Sequence, residues 1–104
     1  MSTSEEVVLD DGTMPRTFKV AAIIQGIESA RRVYANCKGK KSLCYAAAVG
    51  ELIRAFGSLA ANLIYDEELT SFVVKLADGK LLLYDATAGA YKILPIPEVV
   101  KALI

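Results

Sequence analysis

Apolar positions in the middle of the chain repeat at intervals of four and three residues. Tyr45, Val49, Leu52, Phe56, Leu59 and Leu63 fall on one stripe of a helix read from Leu43 to Ile64. Beside them runs a smoother stripe of Ala46, Gly50, Ile53, Gly57, Ala60 and Ile64. A helix with one bulky and one smooth side can be buried by two partners, its own sheet and something else.

The same reading gives the remaining elements. Val7–Leu9 suits a short strand, Asp10-Asp11-Gly12 a turn, and Pro15 a boundary. Thr17 to Gln25 fits two periods. Alternation sets Phe18, Val20, Ala22 and Ile24 on one side, whereas helical spacing lines up Val20, Ile23, Ile27, Ala30 and Tyr34. The helical reading is preferred, over 18–36 with Thr17 as N-cap. Gly26 in its middle costs about 1 kcal/mol relative to alanine and keeps the strand reading open. Gly39 suits the helix stop, and Ser42 the next N-cap.

Three strands are expected after the long helix. Phe72 to Ala77 alternates, Asp78-Gly79 is a two-residue hairpin turn, Leu81 to Ala86 returns, and Tyr91 to Leu94 follows a turn at Thr87-Ala88-Gly89. Pro97 opens a last short helix with Val99, Val100, Leu103 and Ile104 on its inner side. The expected fold is one α+β domain of order β-α-α-β-β-β-α, a two-helix hairpin packed on a three-stranded antiparallel meander.

Composition sharpens this picture. Of 104 residues, 54% are apolar, above the usual figure of about 45–50%. Twelve acids balance twelve bases. So apolar and neutral a chain of this size is expected to self-associate as a homo-oligomer. The absence of any base before Arg16 is unlike a secretory leader, and the apolar runs are short. A cytoplasmic setting is expected, and no membrane partner. Histidine is absent, removing the commonest acid–base group and metal ligand. The chain is read as non-enzymatic, with no catalytic, cofactor or metal residues.

Cys37 and Cys44 flank a basic loop. In one continuous helix, seven residues put them about 10.5 Å apart along the axis, beyond disulfide reach. At a true helix–helix corner they can bond, and an intracellular disulfide points to a thermophile. The plainer reading is two half-buried thiols; a zinc site lacks two ligands unless a second chain supplies them.

Arg31, Arg32, Lys38, Lys40 and Lys41 gather around this loop with no acid among Ser29–Gly50. They are candidate phosphate or nucleic-acid contacts, although a solvated corner explains them as well and zero net charge argues against general nucleic-acid binding. Gly39-Lys40-Lys41-Ser42 is not a P-loop, because Tyr34 stands where the first glycine belongs. The acidic pairs Asp10-Asp11 and Asp66-Glu67-Glu68 read as solvated turns. Tyr84 and Tyr91 are expected as cross-strand neighbours; on an open face beside Lys75 or Lys92 they would form a binding surface, but packing is preferred.

Ala46-Ala47-Ala48-Val49-Gly50 through Asp78-Gly79-Lys80-Leu81-Leu82-Leu83 resembles the second half of roadblock/LC7-type domains. Those have a small-residue-rich central helix, three antiparallel strands with a tight glycine turn, then a helix. The resemblance implies a homodimeric scaffold or small-GTPase regulator assembled through that helix. The N-terminal half departs from the family pattern. For self-association, the residues singled out are Ala46, Gly50, Gly57 and Ala60, whose small side chains allow a partner backbone to come close.

Overall fold

The computed structural model describes residues 4–96. Its class is α+β: an N-terminal hairpin, two helices, a 3-10 helix and a four-stranded antiparallel sheet. The C-terminal helix expected from Pro97 lies outside the described residues.

The hairpin pairs β1 (Glu6–Asp10) with β2 (Pro15–Lys19). The ambiguous stretch resolves as both periods in succession. β2 runs to Lys19 and passes directly into α1 (Val20–Asn36). Thr17 is therefore a strand residue, not the N-cap. Lys19 holds that position without a side-chain bond, and the Val20 N–H is satisfied by the carbonyl of Glu5 at 2.9 Å. Backbone just ahead of β1 replaces the side-chain cap that sequence reasoning looked for.

α2 is Lys41–Phe56, capped at Lys40 rather than Ser42. It stops well short of Ile64. Gly57 takes φ +59°, and its N–H bonds back to the carbonyl of Ile53. Glycine alone adopts this conformation without penalty, so the helix ends here. A 3-10 helix covers Gly57–Asn62, and β3 (Leu63–Tyr65) follows. Leu59 and Leu63 are still buried, through different elements. Gly57, Ala60 and Ile64 thus do not extend a helical stripe.

The meander has four strands, not three: β3, β4 (Ser71–Lys75), β5 (Lys80–Asp85) and β6 (Ala90–Pro95), each paired with its chain neighbour. One cross-strand row on the inner face is aromatic throughout, with Tyr65 opposite Phe72, Phe72 opposite Tyr84, and Tyr84 opposite Tyr91. Tyr84 and Tyr91 are neighbours on the packing face, as preferred, and Lys75 and Lys92 alternate to the other side.

The core lies between this row and the two helices. α1 contributes Val20, Ile23, Ile27 and Ala30, and α2 contributes Cys44, Ala48, Leu52 and Phe56. The most buried line of α2 thus runs through Cys44 and Ala48, with Tyr45 and Val49 half-buried beside it. The helices approach closely where α1 carries a glycine: a Cβ on Gly26 would stand 2.8 Å from the ring of Phe56. β1 docks beside the end of β4, where Ala77 N–H donates to the carbonyl of Val8 at 2.8 Å. Buried Asn62 spans the same junction, its amide donating to the carbonyls of Asp10 and Lys75, both at 3.1 Å.

Candidate interaction surface and helix corner

Cys37 and Cys44 meet at the α1–α2 corner as a disulfide, with Cα atoms 5.5 Å apart. The corner is real because α1 ends at Asn36 and α2 starts at Lys41. The bond ties the end of one helix to the first turn of the next. Among the described residues, no group of three or more Cys, Asp or Glu side chains is placed to hold a metal ion.

The five basic candidates do not form one patch of free charge. Arg31 is half-buried, its Nε donating to the carbonyl of Leu69 at 2.9 Å and its guanidinium pairing with Glu28 at 2.8 Å. Arg32 donates to the hydroxyl of Ser29 at 3.0 Å. Lys41 pairs with Glu68 at 2.6 Å, which holds its ammonium above the ordinary lysine range. Lys38 and Lys40 are exposed and enter no ion pair among the described residues. An open hollow of about 520 Å³ lies at the first turn of α2, lined by Tyr34, Lys41, Ser42, Tyr45 and Glu67.

Arg31 reaches a loop that sequence reasoning passed over. Leu69 is fully buried at φ +58°, a left-handed conformation that costs a leucine roughly 1–2 kcal/mol. Asp66 fixes this loop: its carboxylate accepts from the N–H and hydroxyl of Thr70 at 2.8 and 2.6 Å, and from the Ser71 N–H at 3.0 Å. These bonds, the Thr70 hydroxyl foremost, lower its pKa. Asp11 does the same work in the β1–β2 turn. It accepts from the Thr13 N–H and also from the hydroxyl of Ser58, which joins the turn to the residue after Gly57. Its pKa is pushed well below the carboxylate range, chiefly by Ser58. Asp11 and Asp66-Glu67-Glu68 are turn residues, as read, but organised ones, whereas Asp10 ends β1 opposite Pro15. No local pattern announces a leucine in a left-handed loop, so Leu69 had no signal to find it by.

The outer side of α2 carries exposed apolar residues at both ends. Leu43 is 64% exposed and Ile53 54%, and Ala46, Ala47 and Gly50 between them are exposed. Of the residues singled out for self-association, Ala46 and Gly50 lie here. Gly57 is exposed at the helix end, and Ala60 is half-buried in the 3-10 helix. Leu43 was missed because position 43 reads as the first turn of a helix. Its place opposite the buried line follows once Ala48 is known to be the buried pole. Lys41–Asn62 is by length and composition apolar enough to cross a membrane. Its α-helical part has 16 residues, about 24 Å, short of a hydrocarbon core of about 30 Å.

Comparison with protein-family models, with curated proteins and with solved structures returned no match. What fold and surface define is an α+β domain with one apolar helical face turned outward.

Proposed function

We propose that the protein is a non-catalytic interaction module that self-associates through the outer face of α2. One observation carries this: two large apolar side chains, Leu43 and Ile53, stand more than half exposed on either side of Ala46, Ala47 and Gly50. Leaving that face in water forgoes apolar burial worth roughly 25 cal/mol per Å². Small central residues let a second backbone approach. A membrane span is a poorer reading, because the α-helix breaks at Gly57 after about 24 Å. The resemblance to roadblock/LC7-type domains points the same way, toward a dimeric regulator. An anion site at the corner is the weaker reading, since Arg31 and Lys41 are already paired.

Light scattering over a micromolar concentration series tests it. The expected result is a concentration-dependent dimer that Ile53→Glu abolishes while the melting temperature of the monomer is unchanged. A monomer throughout, or one that floats with phospholipid vesicles, overturns the reading.

A further inference from the structure

The outer face of α2 is a palindrome. At 100° per residue, Leu43, Ala46, Gly50 and Ile53 all lie within about 40° of the direction opposite Ala48. They are spaced symmetrically about residue 48: large, small, small, large. A two-fold axis through that level, perpendicular to the helix, sets Leu43 of one copy against Ile53 of the other and Ala46 against Gly50. That self-matching is what an isologous interface requires.

Charge beyond the two ends of the stripe is opposite in sign, with Arg54, exposed beside Ile53, paired to Glu51 at 3.9 Å. Beyond the N-terminal end of the stripe stand the exposed bases Lys38 and Lys40. Beyond its C-terminal end stands the acidic turn Asp10-Asp11, held there by the Ser58 hydroxyl on Asp11. The same operation that pairs residue 43 with 53 carries residue 38 opposite 58. We infer that two copies of this chain pair α2 antiparallel about Ala48, with Lys38 and Lys40 of each facing Asp10 and Asp11 of the other. This inference rests on the self-association proposed above and adds to it a direction, a register and a pair of electrostatic latches. Parallel pairing would set base against base and acid against acid, which opposes it.

Within one chain, α2 separates the two charged ends by about 24 Å. A zero-length carbodiimide cross-link between them therefore forms only between copies. The test mixes isotopically light and heavy protein, cross-links it, and maps the linked peptides. Links joining Lys38 or Lys40 to Asp10 or Asp11 across light and heavy chains are expected. Lys38→Glu with Lys40→Glu should weaken association about tenfold at low salt and leave the folded monomer intact, and 0.5 M salt should shrink that difference. A dimer whose inter-chain links join other positions, or one indifferent to the charge reversal, overturns the antiparallel register while leaving self-association standing. A monomer at high micromolar concentration overturns both.

Discussion

Gly26 lies directly against the ring of Phe56, with room for no side chain: an added Cβ would meet Cζ at 2.8 Å and Cε2 at 3.1 Å. The glycine weakens α1 by about 1 kcal/mol in propensity but allows the helices to close on each other. Gly26→Ala should destabilise the fold by about 1–2 kcal/mol net, because overpacking a tight core outweighs the propensity gain. Urea unfolding measures it. In a Phe56→Leu background the same change should cost less; equal cost in both backgrounds would refute the contact.

Glu28 receives the Tyr84 hydroxyl at 2.6 Å on one oxygen and Arg31 on the other, joining sheet, α1 and the Leu69 loop. Burial, then this bond, pushes the Tyr84 phenol up to about 12. The phenol ionises more readily in the unfolded chain, near pH 10. The stability it contributes is therefore complete below pH 10 and is lost as pH rises toward 12. Tyr84→Phe should flatten that alkaline loss and lower stability at pH 7 by about 1–2 kcal/mol. An alkaline unfolding profile unchanged by the substitution would contradict this.

On the acid side the sign reverses. Asp11, Asp66 and Asp85 all have lowered pKa values because hydroxyls and N–H groups donate to their carboxylates. Stability from these turns is present above about pH 4 and is lost as pH falls through the lowered values. Asp66→Asn should weaken the fold at pH 7 and reduce its further loss toward pH 2. Hydrogen exchange should rise first at Thr70 and Ser71, whose N–H groups bond Asp66.

The Cys37–Cys44 bond closes a ring with a sequence separation of 7. In the chain-entropy model so short a ring contributes about 2.5 kcal/mol. Reduction, or substitution of both cysteines by serine, should remove about that much. A loss below about 0.5 kcal/mol would show that the helices hold the corner unaided.

The strands from Phe72 onward were legible because alternation and Asp78-Gly79 are local signals that nothing at a distance opposes. The α+β class, the corner and the β1 turn were legible for the same reason. Errors arose where a distant partner decided the outcome. The Glu5 carbonyl, just ahead of β1, satisfies the N–H that opens α1, so Thr17 was free to be a strand residue. The apolar spacing through Leu59 and Leu63 persisted past Gly57, because burial continued after the helix had stopped. Of the candidate site, the outward stripe was visible at Ala46 and Gly50. The pairing of Arg31 and Lys41 with acids from α1 and the β3–β4 loop was not.

Asn62 gives the chain an order of assembly. Its amide holds the carbonyl of Asp10 on one side and that of Lys75 on the other, across sequence separations of 52 and 13 residues. A growing chain releases residue 10 long before residue 75 exists. Until then the N-terminal hairpin can pack on α1 and the 3-10 helix but lacks the bond from Ala77 to the Val8 carbonyl. The bonds that tie the hairpin to the sheet therefore close only after β4 has formed.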